Sequence, residues 1–247
     1  MPEQARIAEL EAENAALRRR LAGAEPRPEN PSQVVEGLHR SRNTLAMVRA
    51  MIRRSADGDR SAEDCVMRLD GRLGAIARVQ SSGLHRPSEG IDLHSLIADE
   101  LLAHLAREGE QAHLTGPKVR LQPRAADILA LAVHELAVNA VEHGALTRAD
   151  GRIHVAWRLE PAAADPMLDL AWTETGLAGL PAHPTRRGFG TEMLERTLRY
   201  EFGAETTIAY APDGLRCTLR FALVPRIGRL ADAGRADDDG VGAAPVP

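Results

Sequence analysis

The sequence predicts an α+β protein in which a helical hairpin is followed by an α/β two-layer sandwich, with a coiled coil at the N-terminus. Three observations predict it. Apolar residues recur in a 3-4 rhythm through the first third of the chain, as in helices that pair along a seam. Four later segments alternate apolar and polar residues, as half-buried strands do. Stretches of helical periodicity lie before and between those strands, so helices and sheet can bury one another's apolar faces.

Residues 5–22 (ARIAELEAENAALRRRLA) place Ile7, Leu10, Asn14, Leu17 and Leu21 on one line. A seam asparagine fixes register and a dimeric state, so residues 1–24 read as a coiled coil, with a lone surface helix as the plainer alternative. The three prolines of EPRPENPS break that helix and make 25–31 a linker. Ser32 caps the next helix, whose apolar positions are Val34, Val35, Leu38, Leu45, Val48 and Ile52. A turn at SADGDRSAED leads to a second helix carrying Val66, Leu69, Leu73 and Ile76. Residues 32–88 therefore read as an antiparallel hairpin, and its apolar stripe is satisfied by a second copy in a four-helix bundle. The chain is expected to be a homodimer.

Residues 89–225 read as a second domain. Ile91–Ala106 is helical, opened by Asp92; 118–122 is a short strand; Pro123 to His143 is a long helix. Strands are expected at 153–160, 167–174, 206–212 and 216–224, with a helix over Thr191–Phe202 between them. The Gly-, Asp- and Ala-rich stretch 226–247 reads as a disordered tail.

Composition excludes several classes. With 31 Lys+Arg against 35 Asp+Glu the net charge is -4, and aromatics are 3% of the chain. Neither a basic footprint nor a stacking platform for nucleic acid is present. Cys65 and Cys217 lie far apart with no C-x-x-C spacing, which fits a reducing cytoplasm. No stretch approaches the ~20 apolar residues of a membrane span, and the N-terminus lacks the apolar core of a signal peptide. A soluble, cytoplasmic protein is expected.

Three segments carry candidate chemistry, and each is weak alone. In EGLHRSRNTL, His39 follows the seam residue Leu38 and so points off the apolar stripe, with Arg40, Arg42 and Asn43 within a turn. A neutral imidazole nitrogen is a competent nucleophile near pH 7, and Glu36 can orient the ring or take its proton. The plain alternative is an ordinary surface histidine. In HELAVNAVEHG, Glu135, Asn139 and His143 stand at i, i+4 and i+8, a polar line facing away from Leu131, Ala132, Leu136 and Ala140. A carboxylate there can polarise a nucleophile or water, while the carboxamide oxygen is a hard ligand for Mg2+; a solvated helix face would look the same. Gly144 then stops the helix. In WTETG, Glu174 ends a strand where a carboxylate can accept the exocyclic amine of adenine, with Gly176 beyond it. In RRGFGT, Gly188 and Gly190 flank Phe189 before the helix at Thr191, and Arg186 and Arg187 add charge to a backbone phosphate nest. A plain loop with a helix cap is the alternative; a P-loop and a Rossmann fingerprint are excluded.

In this order the segments resemble the H, N, G1 and G2 boxes of bacterial histidine kinases, particularly the HWE subfamily, named for a His in the N box and Trp-x-Glu in the G1 box. His134 stands in HELAVNA, Trp172 and Glu174 in WTE, LHRSRNTLA at 38–46 is similar to the phosphoacceptor box, RRGFGT to the G2 box, and GLRC at 214–217 to the closing strand. The resemblance spans about residues 33–224. It implies a phosphotransfer hairpin joined to a Bergerat-type ATPase domain using ATP and Mg2+. Position by position, it implies that His39 is phosphorylated, with Asn43 beside it. Glu135 polarises the reaction, Asn139 binds Mg2+, and His143 continues the line at the nucleotide. Glu174 and Gly176 contact adenine, Arg187, Gly188, Gly190 and Thr191 line the phosphates, and 177–187 forms the ATP lid. It also implies onward transfer to an aspartate of a response-regulator receiver domain. Only the short coiled coil precedes His39, so a separate sensory protein is the expected source of input. Two positions depart from the family pattern. Gly176-Leu-Ala stands where Gly-Gly-Pro is usual, and Glu142 stands where a basic residue is common. Rival readings are a histidine phosphotransferase or phosphatase with little kinase activity, a non-catalytic ATP-binding adaptor, and a serine/threonine kinase of the same ATPase superfamily.

Overall fold

The computed structural model describes residues 42, 44–53, 61–85, 90–106, 108–162, 164–177, 189–211 and 214–231. The chain divides into two compact units, Met1–Ala50 and Met51–Pro247. In the first, residues 42 and 44–50 are helical, inside the expected first hairpin helix. The expected coiled coil, the linker, His39 and Asn43 lie outside the described residues.

The second unit is a mixed α+β structure. Helix α1 (Ala62–His85) starts where Ser61 Oγ accepts the Asp64 N–H at 3.1 Å, with Glu63 and Asp64 in the first turn. Its face of Arg72, Ala75, Ile76 and Val79 is buried, whereas Val66 stays 65% exposed. Strand β1 (Ile91–Asp92) runs into α2 (Leu93–Ala103), and Asp92 caps α2 as expected, Oδ1 accepting the Ser95 N–H at 3.0 Å. The helix stops three residues short of the expected Ala106, because Leu105 adopts φ 64° and turns the chain so that Ala106 is buried. Strands β2 (Ala112–Thr115) and β3 (Val119–Leu121) follow, then α3 (Pro123–Glu142), with proline at its first turn.

Every residue of α3 from Ala125 to Ala137 is buried, as happens when a helix is covered on all sides. Both α1 and α2 pack on it. Strands β4 (Arg152–Glu160), β5 (Met167–Thr175), β6 (Glu205–Ala211) and β7 (Gly214–Ala222) match the expected segments within a residue or two. They form a five-stranded sheet in the order β2-β4-β5-β7-β6, antiparallel except for the parallel pair β2–β4. The register sets Val155 beside Trp172 and Trp172 beside Cys217, Leu170 beside Leu219, and Leu168 beside Phe221. These residues are buried on one face, while His154, Ala156 and Arg158 face water on the other. Each such side chain contributes about 1.5–3 kcal/mol by leaving water.

The helix expected over Thr191–Phe202 forms with a π turn inside it: α4 (Phe189–Glu192), the π segment Met193–Thr197, and α5 (Leu198–Phe202), ended by Gly203 at φ 67°. Two features correct the sequence reading. Strand β2 was not anticipated, and the expected disordered tail from 226 starts too early. Ile227 is buried, and β8 (Gly228–Leu230) pairs with β3 in a small antiparallel sheet ordered β1-β3-β8. Gly228 permits this because a Cβ there would lie 2.6 Å from the Arg120 carbonyl oxygen.

Candidate functional site

The second half of α3 carries the residues singled out in the sequence, and the structure separates them by burial. Asn139 and His143 face solvent. Glu135 does not: the expected exposed polar line begins inside the protein, because α1 lies over that turn. Arg72 Nε donates to Glu135 Oε1 at 2.7 Å, with side-chain exposures of 4% and 7%. The Arg72 guanidinium also stacks on Phe189, 3.7 Å from the ring centroid. On the other side Gly190 presses against the carboxylate, where a Cβ would stand 3.0 Å from Glu135 Oε2. Helices α1, α3 and α4 thus meet at one acidic side chain. A buried ion pair of this kind is costly to break from one side, since the surviving charge is left without compensation.

One turn away on α1 and two turns further along α3, Arg68 donates through Nη2 to both carboxylate oxygens of Glu142 at 2.7 Å. The acidic residue that departs from the family pattern is therefore matched by a cation on α1. Arg68 and Arg72 are four residues apart, so both reach α3 from one face of α1.

The Trp172-x-Glu174 pair works as a unit. Residues i and i+2 of a strand share a face, and Trp172 Nε1 donates to Glu174 Oε1 at 3.0 Å. The Ala145 N–H donates to Glu174 Oε2 at 2.7 Å. Glu174 is 1% exposed, and its carboxylate fills the space beside Gly144, where a Cβ would lie 2.0 Å from Oε2. Burial pushes the Glu174 carboxyl above its ordinary value, against the opposing pull of the Ala145 and Trp172 hydrogen bonds. In this conformation both oxygens serve the protein, tying β5 to the turn that ends α3. Gly176 follows at φ 80°, a backbone state that favours glycine, and a Cβ there would lie 3.0 Å from the Asp150 carbonyl oxygen. Gly190 and Thr191 lie in α4, and Gly190 is buried. Of the expected lid 177–187 only Leu177 is described, and it is buried; Arg187 and Gly188 lie outside the described residues. Cys217 sits deep in β7, where burial pushes its thiol up to about 12 and leaves it chemically quiet.

A second cluster went unread in the sequence. His134 Nδ1 lies 2.7 Å from Glu100 Oε1, and His104 Nε2 lies 3.4 Å from the same oxygen. Arg78 donates to Glu100 Oε2 through Nε and Nη2 at 3.1 and 2.7 Å. Burial opposes ionisation of Glu100, but the hydrogen bonds from His104, His134 and Arg78 outweigh it and hold the carboxyl at about 2. Gly71 on α1 lets that helix approach, since its Cβ would meet the His134 ring at 3.0 Å. The prior signals were the i, i+4 spacing of Glu100 and His104 and the N-box position of His134.

Residues 36–118 match the HWE histidine kinase family. That segment, about a third of the chain, is similar to the HWE histidine kinases. The matched segment holds His39, Arg72, Glu100 and His104, while Glu135, Asn139, Glu174 and Gly190 lie beyond it. The chain is also similar to blue-light-activated histidine kinases. It is 26% identical over 189 residues to that of Brucella ovis (76% of this chain, 38% of that protein). It is 28% identical over 177 residues to that of Brucella anthropi (72% and 36%). The chain thus spans under two-fifths of the length of these curated relatives. In fold it is similar to the Erythrobacter litoralis EL346 blue-light activated histidine kinase, with TM-score 0.56 and 22% identity over 78% of this chain and 59% of that one. The histidine kinase domain of the same protein gives TM-score 0.51 and 19% identity over 86% and 94%. No helix among the described residues is long and apolar enough to cross a membrane.

Proposed function

We propose that this chain is a protein-histidine kinase that binds Mg·ATP at the C-terminal half of α3, phosphorylates His39, and passes the phosphoryl group to an aspartate of a response-regulator receiver domain. The observation that carries the reading is the convergence on one helix end of Glu135, Asn139 and Gly190, from two of the segments that the family resemblance picks out.

The residues fit the nucleotide in part. Asn139 presents an open carboxamide oxygen, a hard donor suited to Mg2+. Bound Mg2+ would neutralise charge on the phosphate oxygens as the terminal P–O bond breaks. Thr191 offers a hydroxyl at the start of the G2 helix, and His143 is exposed one turn beyond Asn139. Glu174 is sealed by Gly144 and Ala145, so its contribution is to hold in place the turn that ends α3. In the transfer, an imidazole nitrogen of His39 forms the new N–P bond while ADP departs with the electrons of the broken P–O bond. The ring proton goes to a carboxylate, and Glu135 takes that role once Arg72 releases it. The conformation in which Arg72 holds Glu135 is then a resting one. Homodimerisation through the hairpin and a cytoplasmic location belong to the same reading.

A second reading, a histidine phosphotransferase or phosphatase that makes little use of ATP, is favoured by the capture of Glu135 by Arg72 and the sealing of Glu174. Calorimetry of Mg·ATP binding tests the site itself. Asn139→Ala is expected to weaken Mg-dependent binding at least tenfold, about 1.4 kcal/mol, while leaving the fold intact. Equal affinities in the two proteins would remove Asn139 from the site.

A further inference from the structure

Glu100, His104 and His134 turn three donor atoms toward a common point, and no step of the proposed phosphoryl transfer uses them. Glu100 Oε1, His104 Nε2 and His134 Nδ1 lie within 4.8 Å of one another. The His104–His134 and His104–Glu100 separations are both 3.4 Å, and His134–Glu100 is 2.7 Å. A tetrahedral ion with bonds of about 2.0–2.1 Å holds neighbouring ligand atoms about 3.3 Å apart. Two of the three edges have that length already. The third is drawn in by the hydrogen bond between His134 and Glu100, and it needs to open by roughly half an ångström.

We propose that these three side chains form a site for one zinc-class divalent metal ion. Two ring nitrogens that face a single carboxylate oxygen, and sit 3.4 Å from each other, are arranged as ligands sharing an ion. A hydrogen-bonded network would gain more by giving each ring its own acceptor. The surroundings are those of a built metal site. Arg78 holds the second oxygen of Glu100, which fixes the carboxylate's orientation as outer-shell donors do. Glu100 and His134 are nearly closed to solvent, whereas His104 is 19% exposed and provides the path of entry. Binding at Nδ1 takes the place of the hydrogen bond between His134 and Glu100, so His134 ligates as the tautomer that carries its proton on Nε2. The ion would clamp α2 to α3 immediately beside Glu135, and through Arg78 it would also hold α1.

The test uses the untagged full chain, with zinc titrated in competition against a chromophoric chelator and with Co2+ as a spectroscopic probe. A single equivalent should bind with sub-micromolar affinity. His104→Ala, a half-buried position whose loss leaves the fold standing by circular dichroism, should weaken binding about 100-fold. The exposed stacked rings His113 and His154, with centroids 5.1 Å apart, are the surface alternative. A His113→Ala/His154→Ala double variant should bind as the parent does. Co2+ in the parent chain should give the intense visible bands of four-coordinate geometry. Unchanged affinity in His104→Ala, loss of binding in the double variant, or a weak octahedral Co2+ spectrum would each overturn the proposal.

Discussion

Glu174 shows how one side chain can shape a site while closed to solvent. Its carboxylate joins Trp172 of its own strand to the backbone of Ala145, and it occupies the space that Gly144 leaves open. Its folded-state value is raised above the ordinary 4.5 because burial disfavours the charge. The folded form therefore binds more protons than the unfolded chain from about pH 4.5 up to the raised value. The contribution of Glu174 to stability is complete below that window and falls as pH rises through it. Trp172→Phe removes one of the two donors to the carboxylate. It should cost about 1.5–3 kcal/mol at neutral pH, the range for a hydrogen bond to a buried charged group, and should extend the pH window upward. Urea denaturation across pH 4 to 8 reads both effects; equal stability of the two proteins at pH 7 would show that the Trp172 bond carries nothing. The W-x-E spacing was legible because strand residues two apart share a face. The sealing of Glu174 was not, since it depends on a turn thirty positions earlier.

Helix α1 is the element that most changes the picture drawn from sequence. The 3-4 rhythm of Val66, Leu69, Leu73 and Ile76 located the helix, but the rhythm could not say which part packs on α3 and which stays open. Nor could the Glu135/Asn139/His143 line reveal that Arg72, sixty-three residues earlier, covers its first member. The two ion pairs along this contact should differ sharply in worth. Arg72→Met leaves Glu135 buried and uncompensated and should cost about 3–5 kcal/mol. Arg68→Met breaks a pair with side-chain exposures of 28% and 36% and should cost ~1 kcal/mol or less. Denaturation midpoints at constant m-value separate them, and similar losses from both would contradict the burial difference. Strands β4 to β7 were readable because each alternates over seven residues or more. Strand β2 has four residues, with His113 and Thr115 exposed, and it pairs at the sheet edge with β4 alone. Strand β8 hides in a Gly-rich stretch and exists because Ile227 is buried beside it. Neither leaves a local pattern, since both are imposed by pairing with distant segments.

At the scale of the whole molecule, the second unit is a mixed α+β body in which α1, α2 and α4 pack on α3, and the family match covers residues 36–118. The central claim is that this body supplies a phosphoryl group to His39. Incubation of the chain with γ-labelled ATP and Mg2+ measures it directly. The account predicts an acid-labile, base-stable label on the parent protein, absent from His39→Ala, whose Mg·ATP affinity is unchanged. Label retained by His39→Ala, or no label on a parent protein that binds Mg·ATP, would contradict it.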